Sequence, residues 1–370
     1  MPLSTVELAR YQRHIALPEI GVAGQEKLRS ARVLVIGAGG LGSPAALYLA
    51  AAGVGTLGLV DCDHVELSNL QRQVLFDTTS VGRPKAAAAR ERLEGLNPQI
   101  TVVAHALELA AANVSALLGA YDVVVDGSDR LTTRYLVNDS CVILGKPLVT
   151  AAIHQFEGQA MSYLPGRGPC YRCLYPDATD GVVATCTQGG VLGALPGVLG
   201  AIQATEAIKI ILGVGEPLTG RLLTFDALEM RFREFPFARR SDCAVCGDRP
   251  AITAPQDAEA VRRLSATALR TLLGHPGSAG ALTLVDVREP REFACGHLDG
   301  AVNIPVSELP TRLQEIPPRT QAVFICRSGG RSLTACALAL RAGVAAPAHL
   351  EGGLLAWVAA VDPTLPLAAV

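Results

Sequence analysis

This 370-residue chain has no overall basic excess: 32 Lys and Arg stand against 34 Asp and Glu, a formal net charge of −2. A protein that grips nucleic acid needs a clustered positive field for the phosphates, so that class of partner is not expected. Charge is scarce altogether, at 18% of residues against 49% apolar. That balance suits packed cores rather than disorder, and the length suits two domains. The opening residues, MPLSTVELARYQRHIALPEI, lack the charged, apolar and small-residue order of a secretory leader. The longest apolar region, GVLGALPGVLGAIQATEAIKIILGVG, is interrupted by Pro196, Gln203, Glu206 and Lys209. A membrane span tolerates such breaks poorly, so a buried amphipathic helix and a cytoplasmic protein without a membrane partner are expected. There is no fixed-period repeat and no low-complexity tract.

Cysteine, in contrast, is plentiful: ten residues. In a reducing compartment this points to metal ligation or catalysis rather than disulfides. Four form two C-x-x-C pairs, Cys170/Cys173 in PCYRCLYP and Cys243/Cys246 in DCAVCGD. Two such knuckles predict tetrahedral Zn2+, and four thiolates leave no open position, so the metal would be structural. A redox motif fits less well, because neither pair leads from a strand into a helix as in thioredoxin. Cys186 and Cys326 each introduce a glycine-rich turn, in ATCTQGG and CRSGGRS, while Cys62, Cys141, Cys295 and Cys336 sit in apolar or strand-like settings and are expected to be buried and inert.

The first part alternates strands and helices. ARVLVIGAGGLGSPAALYLAAAGVGTLGLVDCD reads as strand, glycine turn, helix and a strand ending at Asp61, and YDVVVDGSD as a later strand. Such alternation predicts a mostly parallel sheet with helices on both faces. Gly37, Gly39 and Gly42 match G-x-G-x-x-G, where a close backbone and a helix N-terminus favour phosphate, and Asp61 stands where a carboxylate meets a ribose. NAD would be the default ligand. Arg72 and Lys85 shift the reading toward ATP, because a triphosphate with Mg2+ needs cations that a dinucleotide does not. Asp129, at a predicted strand end, is a candidate magnesium ligand.

RYQRHI, GAGGLG, DCDHVELSNLQRQ, VGRPK and CYRC together resemble the ATP-dependent adenylyltransferases related to ubiquitin-activating enzymes, nearest to those that activate sulfur carriers for molybdopterin and thiamine synthesis. The resemblance implies a Rossmann-like α/β fold and adenylation of the C-terminal glycine of a small ubiquitin-like protein ending in Gly-Gly. It assigns Gly40, Asp61, Ser68, Asn69, Leu70, Gln71, Arg72, Lys85 and Asp129 to the ATP site, with Arg130 standing where the family usually has asparagine. It also implies a homodimer in which Arg13 reaches the second copy's phosphates. In some members a cysteine matching Cys186 takes up the acyl group as a thioester or acyl disulfide.

GDRPAITAPQ, without periodicity, reads as a linker, giving domains 1–248 and 263–370 joined by 249–262. Beyond it, LTLVDVRE, AVNIP and AVFICRS predict a smaller α/β unit. In CRSGGRS the turn N–H groups form an anion nest before a helix, and Arg327 and Arg331 add charge, so Cys326 is expected to be an ionised nucleophile. A cysteine phosphatase has C-x5-R; the tighter C-x4-R here suits one added sulfur atom. This region is similar to the rhodanese (sulfurtransferase) domain, in which the cysteine matching Cys326 carries a persulfide drawn from a donor such as a cysteine desulfurase or thiosulfate. Asp286, Arg288 and GHLDGA are expected to hold its fold. The reading is an adenylyltransferase–sulfurtransferase; the rivals are an NAD-dependent oxidoreductase with a rhodanese appendage and a non-catalytic carrier-binding module.

Overall fold

Val33, Leu34, Val35 and Ile36 are apolar in succession, so the strand they form, β1 (Arg32–Ile36), must be covered on both faces. The structure, a computed structural model, describes residues 2–176, 190–256, 261–274, 282–318, 320–344 and 346–367, and divides into two compact units, one running to Gln256 and one from Val261.

In the first unit β1 is joined by β2 (Thr56–Val60), β3 (Thr101–His105), β4 (Val123–Asp126), β5 (Leu148–His154), β6 (Glu157–Tyr163), β7 (Arg221–Asp226) and β8 (Arg231–Pro236), in the order β3-β2-β1-β4-β5-β6-β7-β8. The strands from β3 through β5 pair in parallel and those from β5 through β8 antiparallel. One face packs on the helices Gly42–Ala52 and Leu195–Leu212; the other is covered by Ala111–Gly119 and Leu131–Ile143. The order reverses between β1 and β4, and an open parallel sheet binds ligands at the strand ends beside such a switch.

The helix Leu195–Leu212 is long and apolar enough to cross a membrane, yet half of that window is buried inside the protein. The polar residues that interrupt it fasten it to the sheet. Gln203 Nε2 donates to the Asp126 carbonyl at 2.7 Å, and Glu206 accepts from Ser162 Oγ at 2.8 Å and from the Leu218 N–H at 2.6 Å. The Gln203 amide N–H and the Glu206 carboxylate thus meet partners, as buried polar groups generally must, while Gln203 Oε1 has none among the described residues.

The second unit has β9 (Arg262–Leu264), β10 (Leu282–Asp286), β11 (Val302–Asn303), β12 (Gln321–Ile325) and β13 (Ala348–Leu350) in the order β11-β10-β12-β13-β9, all parallel. Asp286 and Arg288 are its buried fastening: Arg288 Nε and Nη2 donate to the Asp286 carboxylate at 2.9 and 2.7 Å, and Nη2 also donates to the Gly296 carbonyl at 2.7 Å. Two planar groups that share two bonds can offset the desolvation of both charges, which a single contact would not.

Two cysteines depart from expectation. Cys141 and Cys336 are buried, and burial pushes both thiols up, but Cys62 and Cys295 are exposed. Cys62 follows the end of β2 into an exposed loop, and Cys295 closes a one-and-a-half-turn helix, Pro290–Cys295, that has no buried residue. An apolar sequence setting does not bury a residue once its element has ended.

Candidate active site

The turn after β1 takes a shape only glycine permits. Gly37 has φ +83°, and a Cβ on Gly42 would overlap the Gly37 carbonyl oxygen, so the Gly42–Ala52 helix begins pressed against the strand end. Asp61, just past β2, is tied to this loop: Oδ2 accepts the Ala38 N–H at 2.8 Å and Oδ1 the Asp63 N–H at 2.9 Å. Burial pushes its carboxyl up, against the pull of Lys85.

Lys85 reaches Asp61 through a short brace. The Val65 N–H donates to Arg83 O at 2.9 Å, the Gly82 N–H to Val65 O at 2.8 Å, and the Lys85 N–H to Asp63 O at 2.9 Å. Lys85 Nζ is buried and 3.1 Å from Asp63 Oδ2. The 67–73 turn brings the second cation. Asn69 is buried and caps the turn by accepting the Glu66 N–H at 3.2 Å, Leu70 packs on the core, and Ser68 and Gln71 face solvent. Arg72 Nη1 donates to Ser68 O at 3.2 Å, and its stem borders the glycine loop, since a Cβ on Gly40 would lie 3.7 Å from Arg72 Cδ. Gln73 is buried beside Gly39, and its Oε1 has no partner among the described residues. The backbone cradle and the two cations together fit a nucleotide phosphate; the free Gln73 oxygen, an acceptor, would instead suit a donor such as a hydroxyl.

The two aspartates of DGSD play different parts. Asp126 is fully buried and committed: it accepts from the Ser128 N–H at 3.0 Å, Ser128 Oγ at 2.6 Å and Thr150 Oγ1 at 3.0 Å, with Arg134 Nε at 3.6 Å. Asp129 is exposed, without a hydrogen-bond partner among the described residues. Arg130 pairs with Glu108 at 2.9 Å, both largely exposed. Arg13 lies exposed on the short helix Gln12–Ile15. Cys186 lies outside the described residues. The roles of Asp126, Ser128 and Thr150 were missed because a strand-end aspartate facing inward and one facing outward look alike in DGSD.

Cys170, Cys173, Cys243 and Cys246 converge, with all four sulfurs within 4.8 Å of one another and the pairs Cys170–Cys243 and Cys173–Cys246 at 3.7 and 3.3 Å. A tetrahedral Zn–S4 centre with bonds near 2.3 Å has sulfurs about 3.8 Å apart, so the cluster is compatible with zinc. Metal-free, these thiols cannot ionise together: hydrogen bonds from Cys170 and its neighbours draw Cys246 down to about 5, and burial pushes Cys173 up to about 11. The helix Leu131–Ile143 holds the first knuckle, because Asp139 takes both arms of Arg172 at 2.7 Å and Asn138 Oδ1 accepts the Tyr171 N–H at 2.8 Å.

In the second unit Cys326 follows β12, and the chain turns at Gly329 (φ +96°) into the helix Gly330–Arg341. The Gly329 N–H points at Cys326 Sγ, 3.1 Å away, and Sγ lies 3.5 Å from Ser332 Oγ. A Cβ on Gly353 would overlap the Cys326 carbonyl oxygen, so the glycine pair after β13 closes the back of the loop. Arg331 is bound in both arms by Glu292, at 2.6 and 2.7 Å, and this holds the Glu292 carboxyl down to about 2. Ser332 closes CRSGGRS but was not singled out there, and nothing in PREF or APAHL marks Glu292 or His349 until the fold brings them to that loop.

A doubly wound sheet with a glycine-loop nucleotide cradle, and a separate parallel sheet with a cysteine cradle, define a two-unit transferase. Residues 11–245 match the ThiF family and residues 265–360 the rhodanese-like domain. The chain is 44% identical to the probable adenylyltransferase/sulfurtransferase MoeZ of Mycobacterium tuberculosis, over 98% of this chain and 96% of that one. It is 42% identical to the adenylyltransferase and sulfurtransferase MOCS3 of Aedes aegypti, over 99% and 90%. With the sulfur carrier protein adenylyltransferase of Thermus thermophilus it shares 52% identity over 66% of this chain and 92% of that one. Among solved structures, E. coli MccB with ATP superposes with TM-score 0.56 at 27% identity, over 64% of this chain and 73% of that one. The chain belongs to the ThiF family and carries a C-terminal rhodanese-like domain. It is an enzyme of adenylyl and sulfur transfer.

Proposed function

We propose that the chain uses ATP with Mg2+ to adenylate the C-terminal glycine of a ubiquitin-like sulfur carrier, and that a persulfide on Cys326 then supplies the sulfur of a thiocarboxylate. The reading is supported above all by two cations far in sequence from the Gly37–Gly42 turn. Arg72 borders it at Gly40, and Lys85 pairs with Asp63 near Asp61, whose carboxylate binds the turn at Ala38; a dinucleotide would have no use for them. The names of the relatives that span nearly the whole chain agree.

A carboxylate resists nucleophiles, and adenylation gives it a leaving group. The carboxylate oxygen attacks the α-phosphorus and pyrophosphate leaves. Gly40, Asp61, Ser68, Asn69, Leu70, Gln71, Arg72, Lys85 and Asp129 are the residues we assign to ATP, with Arg130 at its border. Asp129 is suited to magnesium because, unlike Asp126, its oxygens are unspent. Arg13 is assigned to the neighbouring site in a homodimer. The terminal sulfur of the Cys326 persulfide then attacks the acyl carbon and AMP departs. This leaves an acyl disulfide, whose S–S bond a second thiolate from the reducing thiol pool cleaves to release the thiocarboxylate; Cys186 is the candidate acceptor of the acyl group, as a thioester or acyl disulfide. The persulfide is refilled by a cysteine desulfurase or thiosulfate. Segments 1–248 and 263–370 would carry the two steps, and one chain keeps them at high effective concentration. The cytoplasm, which supplies ATP and a reducing thiol pool, is the proposed location.

Carrier-dependent ATP–pyrophosphate exchange tests the assignment. Arg72→Ala is expected to lower exchange by at least a hundredfold, the scale of losing one phosphate-stabilising donor, while thiosulfate sulfurtransferase activity is unchanged. Normal exchange in that variant would overturn the ATP site.

A further inference from the structure

Ser332 and His349 lie buried against the cysteine loop, at 0% and 2% exposure. Ser332 Oγ is 3.5 Å from Cys326 Sγ and 3.4 Å from His349 Nδ1, and it reaches the Gly329 carbonyl at 2.9 Å. The other ring nitrogen, Nε2, is buried with no partner among the described residues. His349 stands on β13 between Ala348 and Leu350, both fully buried. Leucine would serve packing alone better there, because an unpartnered polar atom in a core is costly to desolvate.

We propose that His349 is a positioning residue for sulfur transfer: it fixes the Ser332 hydroxyl so that this group, with the Gly329 N–H, donates to the anionic sulfur of Cys326. The proposal rests on the sulfurtransferase reading of the loop. A hydroxyl has one proton and two lone pairs. While Cys326 is a thiol, its proton goes to Ser332 Oγ and the hydroxyl proton goes to Gly329 O. Once the sulfur is an anion, the lone pairs of Oγ would face it and repel it, so the hydroxyl must turn its proton to Sγ. An Nδ1–H on His349 donates to Oγ in both states, which holds the oxygen in place and strengthens its own donation. That tautomer leaves Nε2 as a bare acceptor, and an unpaired acceptor is tolerated in a core better than an unpaired donor. A base role does not fit: burial, with Arg263 of β9 adding to it, holds the imidazole down to about 4, so it would not keep a proton taken from Cys326. The charged groups around the loop are Arg263 with its partner Glu351, Arg327, Arg331 and the Glu292 that binds Arg331; none of them contacts the Ser332 hydroxyl among the described hydrogen bonds.

The test is the pH profile of Cys326 alkylation by iodoacetamide, read on the Cys326 peptide by mass spectrometry in the full-length protein, beside thiosulfate sulfurtransferase kinetics. His349→Leu keeps the volume and removes the N–H; His349→Asn places an amide N–H where Nδ1 stood. The Leu variant is expected to move the profile up by about one pH unit, which slows alkylation at pH 7 roughly tenfold, and to lower kcat with little change in the thiosulfate KM. The Asn variant should restore most of both, and the Leu change should add nothing in a Ser332→Ala background. A wild-type profile in the Leu variant, or an equal loss in the Ser332→Ala background, would overturn the proposal. Should the Leu variant not fold, Ser332→Ala alone must shift the profile by a similar amount, and an unshifted profile there is equally fatal. If the profiles respond as expected but wild-type Cys326 takes up no sulfur from thiosulfate or a persulfide donor, the sulfurtransferase reading fails and the positioning claim stands.

Discussion

His349 and Glu292 make the second unit pH-sensitive in two separable windows. Burial holds the His349 imidazole down to about 4, below its usual 6.5, so unfolding takes up a proton as pH falls between those values. Its contribution to stability is therefore complete above about pH 6.5 and gone near pH 4. Arg331 holds Glu292 down to about 2 from 4.5, so that contribution is complete above about pH 4.5 and lost toward pH 2. Protection of the buried Cys336 thiol from alkylation reports opening of this unit alone. Protection is expected to weaken from pH 6.5 to 4 in the wild type and to stay nearly flat there in His349→Asn. An identical slope in both would refute the assignment. Single residues were legible in the sequence only where chemistry and spacing are local. Cys326, the paired cysteines and the Gly37–Gly42 turn each announce themselves within a few positions. His349, 17 residues from Ser332 and on β13, and Glu292, 39 residues from Arg331, do not.

Among the elements, the two knuckles carry the clearest structural prediction. Cys170 and Cys243 are 73 residues apart and meet at one cluster, so whatever binds there closes a long loop. The wild-type protein is expected to contain about one zinc per chain, as four thiolates imply, and Cys243→Ser should lower both zinc content and melting temperature. A zinc-free wild type of undiminished stability would contradict this. The pairs were legible because ligand spacing is a local signature; their neighbours on the Leu131–Ile143 helix, Asn138 and Asp139, were not. The parallel core of the first sheet could be read from alternating apolar strands and alanine-rich helices. Its antiparallel extension could not: β8 is exposed at every position, and β7 is mostly half-buried, so neither shows the contrast of faces on which strand reading depends. β9 (RRL) is too short for any period to appear.

At the scale of the whole molecule, the account joins two cradles in one chain: a glycine loop edged by Arg72, with Lys85 paired to Asp63 close by, and a cysteine loop whose sulfur is met by a backbone N–H. Each is intelligible alone, but their pairing makes sense only if the product of one is the substrate of the other. Intact-mass analysis of a Gly-Gly carrier, incubated with ATP, a persulfide donor and the Cys326→Ala enzyme, tests this link most directly. Adenylation lies in the other unit and needs no thiolate, so ATP–pyrophosphate exchange is predicted to continue at close to the wild-type rate while the carrier gains no thiocarboxylate sulfur. A carrier converted to thiocarboxylate by Cys326→Ala at the wild-type rate would contradict the account.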